Sequence, residues 1–224
     1  MNGDTPLSFI PRENIVDAVR KALELAPKKK FKQAVELIVV LRDVDIKSPE
    51  GRIREIIFLP KKITKDIKIC VAADGEMALK AKNAGAFMVL TREDLQKLMG
   101  NRKEAKKIAQ QCDWVLVRAD LMPITGRALG PALGPRGKIP VPVPPAANIE
   151  ALIEKYKSAI LIRTKDQAQI MCRVGVENMD PNDIAENIIT VLTTLEGKLK
   201  NPRYNIAKVI VKTTMGLPVE VKIT

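Results

Sequence analysis

Residues 67–90 read IKICVAADGEMALKAKNAGAFMVL. An apolar run from Ile67 to Ala73 has the length and β-branching of a buried strand. The stretch from Asp74 to Asn83 then reads as a helix, and Ala86 to Leu90 returns to strand character. Outward toward the C-terminus the pattern repeats, with helices at Glu93–Met99 and Lys103–Gln110 and a strand at Trp114–Arg118. Strands alternating with helices make a parallel sheet with helices packed on its faces. The flanks differ. Pro11 to Leu25 is an amphipathic helix with Pro11 in its first turn. Val35, Leu37, Val39 and Leu41 mark a strand, and Arg52–Leu59 reads as its antiparallel hairpin partner. Beyond the proline run Pro140–Pro145 lie a helix at Asn148–Lys157, a strand pair at Ala159–Arg163 and Ala168–Val176, a long helix at Pro181–Lys198, and strands at Ile206–Thr213 and Val219–Ile223. The two chain ends share an α+β style that the middle lacks. The fold expected is therefore α/β: a discontinuous domain from residues 1–65 and 156–224, with a Rossmann-like parallel domain, residues 66–155, inserted through two chain crossings. Two successive domains would leave the N-terminal helix and hairpin with little surface to bury.

Composition narrows the function. Lys and Arg number 38 against 26 Asp and Glu, a formal charge of +12, and such an excess attracts polyanions. The chain has no histidine, which removes the commonest general base and transition-metal ligand. Cys70, Cys112 and Cys172 are three widely spaced residues, read as small core residues rather than a disulfide framework or a zinc site. No run approaches the length of about 20 apolar residues that a spanning helix needs, and Met1–Ile10 lacks the pattern of a signal segment. A cytoplasmic protein without a membrane partner is expected. Aromatic residues are 3% of the chain, which argues against a base-stacking platform.

The most distinctive segment is Leu121–Pro140, LMPITGRALGPALGPRGKIP. Four glycines and the prolines suggest a long loop, and Arg127, Arg136 and Lys138 make it basic. It reads equally as a phosphate-cradling loop or as a loop packed on its own domain. Asp74-Gly75 sits where a dinucleotide fold places its phosphate turn, but no G-x-G-x-x-G follows. An enzyme acting through Asp74 or Asp120 therefore lacks a fingerprint, and a DNA-binding regulator lacks a recognition-helix motif. Lys103, Lys106 and Lys107 form a basic helix face.

The string Leu-Gly-Pro-Arg-Gly-Lys-Ile-Pro, preceded by Ala-Asp-Leu-Met-Pro, resembles the signature of the ribosomal protein L-one family, which forms the mobile stalk at the exit site of the large subunit. Phe31, Glu36, the strand from Arg54 to Pro60 and Thr213-Thr214-Met215-Gly216 resemble that family's pieces in the same order. The Leu121–Pro123 and Pro140–Pro145 wording is similar to archaeal-type members. Two departures stand out: Leu217-Pro218 follows Met-Gly, and Lys208 stands where many members carry a small hydroxyl residue. The resemblance implies no enzymatic activity, no cofactor and a ribosome-associated protein, monomeric when free. It implies RNA binding by Lys30, Phe31, Glu36, Arg54, Lys212, Thr213, Thr214, Met215 and Gly216. The implied partners are the ribosomal RNA stalk, exit-site transfer RNA, whose release the protein assists, and its own messenger RNA, whose translation it represses. On physical grounds Gly216 is expected to bring bare backbone against ribose and phosphate, Thr214 to offer its hydroxyl, and Met215 or Phe31 to cover sugar or base faces.

Overall fold

A computed structural model describes residues 9–48, 51–63 and 67–223. In chain order the elements are α1 (Arg12–Glu24), β1 (Ala34–Leu41), β2 (Arg54–Phe58), β3 (Ile69–Ala72), α2 (Glu76–Asn83), β4 (Met88–Leu90), α3 (Arg92–Leu98), α4 (Arg102–Gln111), β5 (Trp114–Arg118), α5 (Met122–Leu133), β6 (Val141–Val143), α6 (Ile149–Tyr156), β7 (Ala159–Arg163), β8 (Gln169–Val176), α7 (Pro181–Glu196), α8 (Pro202–Asn205), β9 (Ile206–Thr213) and β10 (Val219–Glu220). The chain falls into two compact units: unit 1 from Met1–Thr64 and Ser158–Thr224, and unit 2 from Lys65–Lys157. Each has its own apolar core.

Unit 1 is built on the antiparallel sheet β10-β9-β1-β8. The period-2 pattern of β1 turns Val35, Leu37, Val39 and Leu41 inward, where α1 and α7 cover them. Helix α1 presents Ile15, Val16, Ala18, Val19 and Ala22, and α7 presents Ile184, Ile188, Val191, Leu192 and Leu195. Pro11 is the extended N-cap of α1 rather than a first-turn residue. Asp180 caps α7 by accepting from the N–H of Asn182 at 2.7 Å.

Two expected pairings are overturned. β1 and β2 do not form a hairpin: β1 has β8 on one side and β9 on the other, so both its hydrogen-bonding edges are filled. Asp43, with φ 52°, lies just past its end. β2 instead pairs with β7, from Arg54↔Arg163 to Phe58↔Ala159. β7 and β8 accordingly belong to different sheets, with the isolated bridge Thr164↔Ile170 between them.

Unit 2 is a parallel sheet of order β4-β3-β5-β6. Alternation along β3 and β5 gives the sheet two faces. Cys70, Ala72, Val115 and Val117 join the core of α3, α4 and α5, while α2 and α6 pack together on the other. Thr91 heads α3 with a capping box to Asp94. β6 lies inside the proline run Pro140–Pro145. It is an edge strand, where Pro142 needs no N–H on its open side.

Leu121–Pro140 is mostly helical rather than a long loop. After a 3-10 turn at Ala119–Leu121, Met122–Leu133 is an α-helix. Thr125, Ala128, Leu129, Ala132 and Leu133 form a buried stripe at helical spacing. That burial outweighs the propensity cost of Gly126, Gly130 and Pro131.

The reading of the cysteines also changes. Cys70 on β3 and Cys112 at the C-cap of α4 form a disulfide, with Cα atoms 5.8 Å apart and a sequence separation of 42. Cys172 is a buried free thiol in unit 1, pushed up to about 12 by desolvation.

Candidate nucleic-acid interface

At one end of unit 1 the chain entering β1 meets the turn leaving β9. The Thr214 N–H donates to the carbonyl of Ala34 at 3.0 Å. The Thr214 hydroxyl accepts from the Ala34 N–H at 3.1 Å and lies 3.3 Å from the Ala34 carbonyl. Beside this pair Gln33 is 1% exposed. Its Oε1 accepts from the Met215 N–H at 3.0 Å, and its Nε2 donates to Pro27 O at 2.7 Å. Its backbone carbonyl receives the Glu177 N–H at 3.0 Å. One buried residue thus holds three segments, two through its side-chain amide and one through its backbone carbonyl. The result is a turn whose polar backbone is satisfied internally and whose large side chains are not covered: Phe31 is 52% and Met215 56% exposed. Leu25 and Leu217 are exposed as well.

Thr213, expected among the contacts, is wholly buried, and its hydroxyl has no hydrogen-bond partner. It packs inward. A Cβ built on Gly216 would lie 2.2 Å from that hydroxyl and 3.7 Å from the Cα of Ala26. Glycine is therefore favoured here by its own protein. The Thr214 hydroxyl is likewise committed to Ala34 rather than presented outward.

Of the remaining residues, Glu36 and Lys212 lie on the sheet, on β1 and β9. Glu36 stands in register between Arg173 of β8 and Lys212 of β9, so the carboxylate is flanked by two cations. Lys212 Nζ donates to Thr214 O at 3.3 Å. The Nε of Arg173 is buried without a hydrogen-bond partner. Lys30 is exposed in the loop before β1. Arg54 is not in this cluster: it lies on the β2–β7 pair opposite Arg163. Its pKa is lowered, first by desolvation and then by Arg163 and Arg52. Gln33, Arg163 and Arg173 escaped the sequence reading. Position on the outward alternation of β7 and β8 was the available signal for the two arginines; Gln33 carried none.

The basic residues of unit 2 do not form a phosphate cradle. Arg136 donates to Ala132 O at 2.8 Å, and Lys138 donates to Ala109 O at 2.9 Å and to Cys112 O. Both bind their own backbone, while Arg127 is exposed on α5. The crevice between the C-terminal ends of β3 and β5, where doubly wound folds hold their ligands, is occupied by an ion network. Arg118 grips Asp120 through two 2.6 Å bonds and donates to Asp74 O at 3.0 Å. Arg92 approaches Asp74 and Asp120 at 3.8 and 3.6 Å. Hydrogen bonding to Arg118 holds the Asp120 carboxyl below its ordinary range. Among the described residues no acidic, Cys or His group could hold a metal, and no helix is long and apolar enough to cross a membrane.

A sequence model of the Ribosomal protein L1p/L10e family matches residues 20–217. The large ribosomal subunit protein uL1 of Hyperthermus butylicus is 64% identical over 217 residues, 97% of this chain and 100% of that protein. Its counterpart in Staphylothermus marinus is 61% identical over 210 residues, 94% of this chain and 97% of that protein. The uL1 protein of Methanothermobacter thermautotrophicus is 45% identical over 210 residues, 94% of this chain and 99% of that protein.

Proposed function

This chain belongs to the ribosomal protein L1p/L10e family, archaeal type, a structural and non-enzymatic constituent of the large ribosomal subunit, and from that premise we propose that unit 1 anchors it on the ribosomal RNA of the mobile stalk. The observation that carries the proposal is the Gln33-clamped turn. It leaves Phe31 and Met215 uncovered at the end of a sheet face bearing Lys212 and Arg173. Apolar side chains cover sugar or base faces and the cations meet phosphates. Shape then supplies specificity, and charge supplies the salt-dependent share of affinity. Glu36, between its two cations, accepts from a 2′-hydroxyl or a base amine.

Unit 2 contacts deacylated transfer RNA at the exit site and assists its release. The exposed cations Lys103, Lys106 and Lys107 on α4 and Arg127 on α5 support that reading. The same end of unit 1 binds the protein's own messenger and represses its translation by mimicking the ribosomal site. The protein works at the ribosome in the cytoplasm and is monomeric when free. The test is a gel-shift competition at physiological salt between a stalk fragment of large-subunit ribosomal RNA and a scrambled hairpin of equal charge. Preference for the stalk fragment is expected; equal, weak binding would contradict the assignment.

A further inference from the structure

We infer that Cys70 and Cys112 form a buried covalent staple that sets the stability of unit 2 alone and makes it dependent on redox state. The two sulfurs are bonded, and the Cα separation of 5.8 Å falls within the range a disulfide spans without backbone movement. Both residues are wholly buried. Cys70 lies on β3, at the centre of the sheet, and Cys112 closes α4 immediately before β5. The bridge therefore ties a peripheral helix to the central strand and closes a segment holding α2, β4, α3 and α4. In the unfolded chain such a closure removes conformations that the open chain would explore, and the effect grows with loop length.

Noncovalent bonds already hold the two cysteines in place. The Asp113 N–H donates to Lys68 O at 2.7 Å, and Asp113 Oδ2 accepts from the Lys68 N–H at 3.0 Å. Lys138 Nζ donates to the carbonyls of Ala109 and Cys112. Unit 2 holds no third cysteine, so the pairing has no competitor there. Cys172 is buried in the other unit with its thiol protonated at neutral pH. The oxidant is a disulfide, small-molecule or protein-borne. Its S–S bond breaks, the Cys70–Cys112 bond forms, and the two thiol protons leave with the two reduced sulfurs of the oxidant. With both sulfurs buried, reduction requires the C-terminal turn of α4 to open, so the bridge resists reductant in the native state.

The full chain, incubated with oxidised glutathione and then denatured, is alkylated and weighed with and without prior reduction. One alkylated thiol before reduction and three after are expected; three in both samples would overturn the inference. Trp114, the single tryptophan, lies in unit 2 and reports its melting. Reduction is expected to lower that midpoint by about 10 °C or more, while hydrogen exchange in unit 1 is unchanged. Equal midpoints would overturn the inference. The double variant Cys70→Ala/Cys112→Ala is expected to melt like the reduced protein and to ignore reductant. A reductant-sensitive double variant would place the effect elsewhere and overturn it too.

Discussion

The side-chain oxygen of Gln33 accepts a hydrogen bond from the backbone N–H of Met215 at 3.0 Å, across 182 residues of sequence. Because Gln33 is buried, its loss leaves the Met215 N–H without that acceptor, at a cost of about 1–3 kcal/mol. Gln33→Leu is expected to lower the urea stability of unit 1 by that amount and to weaken RNA binding, although the side chain does not reach solvent. Unchanged stability and affinity together would show that the clamp is inert.

Gly216 and Thr213 are expected to be energetically coupled. Gly216→Ala drives a methyl group toward the Thr213 hydroxyl, an overpacking worth about 1–3 kcal/mol. Thr213→Ala removes the obstructing atom. In a double-mutant cycle the combined loss should be smaller than the sum of the single losses. Strict additivity would mean that the turn relaxes around the new methyl.

Asn187 is wholly buried in α7 and serves both groups of one backbone residue. Its Oδ1 accepts from the Lys61 N–H at 3.0 Å, and its Nδ2 donates to Lys61 O at 3.1 Å and Val174 O at 2.8 Å. Asn187→Ala strips these partners and opens a small cavity. A loss of about 2–4 kcal/mol in denaturant unfolding is expected, and a loss under about 0.5 kcal/mol would place the residue among ordinary surface positions.

The acid limb of stability has a defined sign. Asp94 is lowered by the Thr91 backbone N–H and hydroxyl, Asp120 by Arg118, and Asp180 by the Asn182 backbone N–H. Their folded values lie below the unfolded value of about 3.9. They stabilise the protein above that pH and cease to do so as pH falls through the folded values. Glu196, raised by burial, acts in the opposite sense. With no histidine in the chain, the urea midpoint should be nearly flat between about pH 6 and 8 and fall below about pH 4. A steep change between pH 6 and 8 would contradict this.

How much was legible in the sequence depended on whether a local pattern carried the information. Trp114–Arg118 and Ile206–Thr213 are strands with the bounds their periodicity gives, because each alternation or apolar run is decided within a few residues. The β1–β2 hairpin failed because pairing was decided by β8 and β9, far along the chain. Leu121–Pro140 misled because glycine and proline are counted by type, whereas the buried stripe Thr125–Ala128–Leu129–Ala132 wins by packing. Cys70 and Cys112 meet only once the parallel sheet is assembled. At the candidate interface Thr213, the last residue of β9, is buried, whereas Phe31 before β1 and Met215 in the turn after β9 are exposed. Gln33 sits between Lys32 and Ala34 and reads as a loop residue; Pro27, Glu177 and Met215, its hydrogen-bond partners, make it a clamp.

The central claim is that the Phe31–Met215 end of unit 1 holds the ribosomal RNA. Its most direct test is the equilibrium affinity of the wild type, Met215→Asp and Arg127→Ala for the stalk fragment at one fixed salt concentration, with circular dichroism verifying that each protein is folded. The account predicts at least about a tenfold loss for Met215→Asp, equivalent to about 1.4 kcal/mol, and none for Arg127→Ala. A folded Met215→Asp protein that binds the fragment as tightly as the wild type would contradict it.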